Sequence, residues 1–142
     1  MTVVALDPGT KRIGIAVSDP SGRMALPVAV VDRKDLEAII EIVNDRKATE
    51  VIIGLPKSLD STEGPAARGA RKFAAELAQR VKVPVHLVDE RFTTVQASHS
   101  LRHLDSRKRR QVIDRSAAAV LLQSYLDSRA YLDSQAYLDS QG

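Results

Sequence analysis

Four acidic residues in this 142-residue chain could do chemistry together: Asp7, the neighbours Asp89 and Glu90, and Asp114. Asp7 ends the apolar run Val3 to Leu6 and is followed at once by Pro8 and Gly9. It can serve as a turn acid that accepts hydrogen bonds from its own loop, or as a functional group at the end of a central strand. Asp89 and Glu90 end the apolar stretch "PVHLV", with Thr93 and Thr94 just behind. Strand alternation sends them to opposite faces, so at most one of the two joins Asp7. Asp114 opens "DRSAAAVLLQSYL"; on a helix it would share a side with Ala118, Leu121 and Tyr125, an apolar side that faces a sheet. A helix cap is its other reading. Three carboxylates from distant parts of the chain, brought to one edge, would repel unless cations sat between them. Oxygen donors in a chain with no cysteine suit Mg2+ or Mn2+. Two such ions about 4 Å apart can activate a water and stabilise the leaving oxygen of a phosphodiester.

The charge pattern fits an anionic polymer. Between Arg102 and Arg115 the chain carries Arg102, Arg107, Lys108, Arg109, Arg110 and Arg115 against Asp105 and Asp114. Such a run is either a solvated face or a contact for phosphates, and Lys108, Arg109 and Arg110 are its densest part. With two Phe and no Trp, and every Tyr in the C-terminal tail, stacking on bases is disfavoured and contact with the backbone is expected.

The elements that must position these residues follow from periodicity. Val3 to Leu6 and Ile13 to Val17 read as a hairpin, and "MALPVAVV" (24 to 31) as a third strand, with Pro27 marking an edge. Leu36, Ile39, Ile40 and Val43 predict an amphipathic helix over 35 to 46, and "VIIGLP" (51 to 56) a short buried strand. A second helix is expected from Ala70, a fifth strand over 84 to 91, and final helices over Thr93 to Leu104 and from Asp114 to about Leu126. The order βββαβαβαα places the chain in the α/β class, a mixed five-stranded sheet with helices on both faces. The polar connection "PKSLDSTEGPA" leaves strand four at its carboxyl end, where open α/β sheets place their sites. His99 and His103 read as a solvated helix face and His86 as structural.

The length suits one domain. The lack of cysteine agrees with a reducing cytoplasm, and no apolar run approaches the roughly 18 residues of a membrane helix. A soluble cytoplasmic protein is expected.

The stretches "ALDPGTKRIGIAVSD", "VIIGLP", "EGPAARGARKFAAEL", "VDERFTT" and "IDRSAAAVLLQSYL" resemble, in order, the motifs of the YqgF/RuvX family over residues 1 to about 126. The resemblance implies an RNase H-like fold related to the RuvC resolvases and a metal-dependent nuclease, with Mg2+ or Mn2+ as cofactor. Family members are described as Holliday junction resolvases and as nucleases maturing the precursor of small-subunit ribosomal RNA, so branched DNA or that RNA is the implied partner. Asp7, Glu90 and Asp114 take the family's acidic positions. Arg12 and Arg91 are the implied phosphate or cluster partners, with Thr93 and Thr94 near them. Ser61 stands where the family carries a glycine.

Other readings remain on residues alone. D-x-G-T also opens the phosphate-binding hairpin of actin-like and sugar-kinase ATPases, although those clamp nucleotide between two domains. A nucleic-acid-binding module without chemistry is the third class. The tail 127 to 142 continues three near-identical hexads that begin at Tyr125, Tyr131 and Tyr137. A six-residue step turns a helix by about 600°, so the Tyr-Leu pairs form no single stripe. The first unit is expected to finish the last helix and the rest to be loosely ordered or a helix end. With no further apolar stripe to join two copies, a monomer or weak homodimer is expected.

Overall fold

In a computed structural model the chain is described over residues 1–56, 63–90 and 116–141. Five strands form one sheet: β1 (Val3–Pro8), β2 (Arg12–Ser18), β3 (Ala25–Asp32), β4 (Glu50–Leu55) and β5 (Val85–Asp89). The order across it is β3-β2-β1-β4-β5. β1–β2 and β2–β3 pair antiparallel, and β1–β4 and β4–β5 pair parallel. β1 takes the centre because Val3, Val4, Ala5 and Leu6 are all fully buried, so both of its faces must be covered. β3 holds one edge, where the absent N–H of Pro27 costs no outer ladder bond.

The helices are α1 (Leu36–Asp45), α2 (Pro65–Ala78) and α3 (Ala117–Gln141). Asp35 caps α1, its Oδ1 accepting from the Ala38 amide at 3.2 Å. α1 and α2 bury Ile39, Val43, Phe73, Ala74 and Leu77 on one face of the sheet, against Val4, Leu6, Ile13, Ile15, Val51 and Ile53. α3 covers the other face, where Ala118, Ala119, Leu121 and Leu122 meet Val3, Ala5, Ala16 and Ile52. α2 begins five residues ahead of the expected Ala70, because Pro65 suits the first helical position, where an N–H would be unpaired. α3 begins at Ala117, later than the expected Asp114, because Ser116 provides the cap: its Oγ accepts from the Ala119 amide at 3.0 Å. Among the described residues no helix is long and apolar enough to cross a membrane.

The far end of α3 carries the repeats. The helix runs unbroken to Gln141, so residues 127 to 141 continue it. No Gly or Pro interrupts the span 117 to 141. The first unit packs: Leu126 is buried, and Tyr125 Oη donates to Glu50 Oε2 at 3.0 Å. Arg129 pairs with the other oxygen of Glu50, and His86 Nε2 lies 3.7 Å from Glu50 Oε2. Glu50 is 7% exposed, so these partners satisfy a charge that would otherwise be costly to bury. The hexads differ where this matters, with Gln135 and Gln141 standing where the first has Arg129. Tyr131, Leu132, Tyr137 and Leu138 are all about two-thirds exposed.

Deleting residues 131 to 142 should therefore leave the melting temperature nearly unchanged, whereas Arg129→Ala should cost about 1–3 kcal/mol by stranding the Glu50 carboxylate. Urea denaturation of the two variants checks the contrast. A large loss on deletion would show that the last two units pack.

Candidate active site

Strand parity decides which carboxylates meet. On β1, Val4 and Leu6 face α1 and α2 while Val3 and Ala5 face α3, so Asp7 falls on the α3 face. On β4, Ile53 faces α1 and α2 and Ile52 faces α3, which puts Gly54 on the α3 side. On β5, Leu87 and Val88 divide in the same way. Glu90 continues the β5 pattern past the strand's last residue, its amide donating to the Leu55 carbonyl at 3.2 Å. Asp7, Gly54 and Glu90 thus come from three adjacent parallel strands to one face of one rim. Glu90 and Asp7 share a side-chain hydrogen bond there, while Asp89, on the opposite parity, acts on Glu90 only through its charge.

Gly54 makes the contact possible. A Cβ on this residue would lie 2.1 Å from Glu90 Oε1 and 2.7 Å from its Cδ, so the carboxyl of Glu90 occupies the space of the missing side chain. In the sequence Gly54 carries one signal, a glycine inside the apolar stretch "VIIGLP", which marks a close approach.

Burial, then the hydrogen bond and charge of Asp7, then the charge of Asp89, push the Glu90 carboxyl up to about 8. Burial and the neighbouring carboxylates thus favour the protonated form of Glu90, which shares a side-chain hydrogen bond with Asp7. Two carboxylates held this closely fit a hard divalent cation, which would replace that proton. Among the described residues no cluster of three or more His, Asp or Glu is placed to hold a metal. Asp114, the third acid expected, lies outside the described residues.

The mouth of the site is a cavity of about 410 Å3 lined by Asp7, Gly9, Arg12, Gly14, Ser116 and Ala117, with the middle of β3 opposite. Arg12 is exposed and opens β2 across the tight turn in which the Gly9 amide donates to the Arg12 carbonyl at 2.8 Å. Gly9 has little room for a side chain, since a Cβ would stand 3.0 Å from that carbonyl oxygen. The turn is also held from outside: Arg33 Nη1 donates to the Gly9 carbonyl at 2.7 Å, a contact the sequence did not signal. Arg91, Thr93, Thr94, Lys108, Arg109 and Arg110 lie outside the described residues, as do His99, His103, Ser61 and the helix expected over 93 to 104. His86 sits on the outer strand β5, about half exposed beside Glu50, away from the carboxylate pair.

Two outcomes follow from this geometry. Gly54→Ala should displace Glu90 and cost about 1–3 kcal/mol from overpacking, read by urea denaturation; an unchanged stability would show that the approach is unimportant. Because Glu90 holds its proton well above its ordinary 4.5, the folded state binds a proton that the unfolded chain has released. Stability of the metal-free protein should then fall as pH rises from about 4.5 to about 8. Thermal melts in a chelator, compared with a flatter Glu90→Gln profile, read this directly.

Residues 1–128 match the family model RuvX, described as Holliday junction resolvase. A protein of Nocardioides sp. (strain ATCC BAA-499 / JS614) is 50% identical over 135 residues, covering 88% of this chain and 86% of its own length. One of Thermobifida fusca (strain YX) is 50% identical over 137 residues, with the same coverage. Both carry the name "Putative pre-16S rRNA nuclease". Among solved structures, Thermus thermophilus RuvC in complex with Holliday junction substrate aligns at a TM-score of 0.56 and 14% identity, over 92% of this chain and 96% of that one. The yeast mitochondrial Holliday junction resolvase Ydc2 aligns at a TM-score of 0.60 and 8% identity, over 98% and 83%. These two likenesses establish the RNase H-like, RuvC-like fold of the mixed five-stranded sheet. The family match over nearly the whole body, with relatives at half identity, shows that this chain belongs to the RuvX family.

Proposed function

We propose that this RuvX-family nuclease hydrolyses phosphodiester bonds in structured nucleic acid at the Asp7–Glu90 pair, with a divalent cation held by these two carboxylates and by Asp114. The observation that carries the reading is the meeting of Asp7 and Glu90 at one rim, joined by a side-chain hydrogen bond. A structural acid pair gains little from such an arrangement, since burial and like charge both oppose it. Two carboxylates brought together at one rim are, by contrast, what a divalent-cation site uses. Mg2+ or Mn2+, as one ion or a pair, fits the all-oxygen donor set and supplies, when bound, the Lewis acidity for phosphodiester hydrolysis.

The chain's own residues then have distinct tasks. Asp7, fixed at the end of the most buried strand, sets the position of the centre. Glu90 must give up its proton before both carboxylates can serve as ligands, and its place over Gly54 keeps it from turning away. Arg12, exposed at the cavity mouth, holds a phosphate of the substrate. Arg91, Thr93 and Thr94 assist there, and Lys108, Arg109 and Arg110 bind the polyanion farther out. The relatives' name favours precursor ribosomal RNA, the family description favours branched DNA, and both remain substrates to be tried. The setting is cytoplasmic and the protein acts as a monomer or weak homodimer.

Asp7→Asn should lower cleavage by at least about a thousandfold while leaving nucleic-acid affinity within about threefold, since the cation is lost and the basic surface is not. Glu90→Gln should cost far more activity than Asp89→Asn. Assays on a four-way DNA junction and on a ribosomal precursor RNA, with and without Mn2+, test the reading. Full cleavage by Asp7→Asn would return this residue to the role of a turn acid, and a deader Asp89 variant that still folds would reassign the ligand. On the junction, nicks without coupled opposite cuts are expected, because paired cuts need two sites in a symmetric dimer.

A further inference from the structure

A second concavity, of about 730 Å3, opens on the other side of the β1–β2 turn. Its floor is Leu36 and Phe73, and its rim carries Lys11, Arg33, Lys34 and Lys72 against Asp32 and Glu76. These cations come from three separate segments: the β1–β2 turn, the β3–α1 connection and α2. Their convergence is a product of the fold and was invisible as a run in the sequence. Asp32 is already engaged locally, its Oδ1 accepting from the Lys34 amide at 2.8 Å. Lys11, Lys34 and Lys72 are exposed.

Arg33 ties this groove to the candidate active site. Its Nη1 donates to the carbonyl of Gly9, two residues after Asp7. Its Nη2 lies where a Cβ on Gly69 would be only 2.9 Å away, so the absence of a side chain at 69 lets the guanidinium rest against α2. The groove and the carboxylate pair thus lie on opposite sides of one short turn, at the same rim of the sheet. Phe73 is 5% exposed and offers no face for stacking a base. Cations on an open apolar floor, with no exposed ring, suit a phosphate chain better than a nucleotide with its base.

We propose that this groove binds the phosphodiester backbone of the nucleic acid as it leaves the Asp7–Glu90 pair and passes over the β1–β2 turn. The inference rests on the nuclease reading and adds the path of the strand, on the sheet face opposite the carboxylates. The contact is to phosphate and sugar, so it carries no preference for base sequence.

The test replaces Lys11, Lys34 and Lys72 together by Gln. Affinity is measured by fluorescence anisotropy across a salt series with two labelled probes: an RNA hairpin bearing a single-stranded 5' extension, and a four-way DNA junction. The variant should bind about tenfold or more weakly, with a log–log salt slope shallower by about two to three and an unchanged melting temperature. A loss on one probe alone also supports the groove and identifies its polymer. Affinity and salt slope equal to the parent's on both probes would overturn the proposal, whatever the cleavage results. Failure of the parent protein to cut either probe with Mn2+, alongside weakened binding by the triple variant, would sink the nuclease reading and leave the groove standing. As a position control, Lys82→Gln, at an exposed residue in the α2–β5 connection, should leave binding and slope unaltered; an equal loss there would reduce the effect to net charge and overturn the assignment.

Discussion

The site depends on two carboxylates forced together at the edge of a buried sheet. Asp7 cannot retreat, because the four residues before it are wholly enclosed and fix the strand on both sides. Glu90 cannot retreat either, since its carboxyl lies in the space above Gly54 and its amide is still paired to β4. Relief can come only from a proton or a cation, and the proton is held up to about pH 8 in the free protein. A cation that binds both groups must displace it, so the site is poised between two positively charged occupants.

The two faces of the sheet are built differently, and the difference serves the site. Toward α1 and α2 the sheet presents large side chains such as Leu6, Ile13, Ile15 and Ile53, which form the thicker core. Toward α3 it presents Ala5, Gly14 and Ala16 among others, with a Cβ on Gly14 reaching ordinary contact with Ala118 at 3.8 Å. Small residues bring the start of α3 close to the sheet beside Asp7, and Ser116 and Ala117 line the same cavity as that acid. At the other rim, Tyr125 and Arg129 close on Glu50 and tie the same helix to the start of β4. The helix is therefore fixed at two places, one at the site and one far from it.

Much of this architecture was legible in the sequence because it rests on local pattern. The apolar run at β1, the Pro27 edge and the three-and-four spacing of α1 and α2 each point to what the chain forms. Alternation also showed that at most one of Asp89 and Glu90 would join Asp7, but the choice of Glu90 came from the family resemblance and not from the residue pattern. What escaped was set by contacts between segments far apart in the chain. Gly54 acquires its meaning only when Glu90 lies above it, and Arg33 only when the β3–α1 connection reaches the Gly9 carbonyl. The continuation of α3 through the hexads was only one of two readings the pattern left open, because an apolar stripe is the usual evidence for a helix and the hexads carry none. The third expected acid and the basic segment from Arg102 to Arg115 lie outside the described residues.

The β1–β2 turn joins these features into one surface. Only Pro8, Gly9, Thr10 and Lys11 separate Asp7 from β2, so a few residues carry the chain from an acid on one face to a lysine at the groove on the other. A nucleic acid approaching an acid pair meets repulsion from its own phosphates, which cations at the pair must cancel before close contact is possible. Cations beyond the turn, at Lys11, Arg33, Lys34 and Lys72, attract the neighbouring phosphates instead. On the proposed reading such an arrangement divides the work: the acid pair holds the cation, and the basic groove holds the polymer against the repulsion those acids create. Gly9 fixes the turn between the two surfaces, its amide donating to the Arg12 carbonyl and its own carbonyl accepting from Arg33.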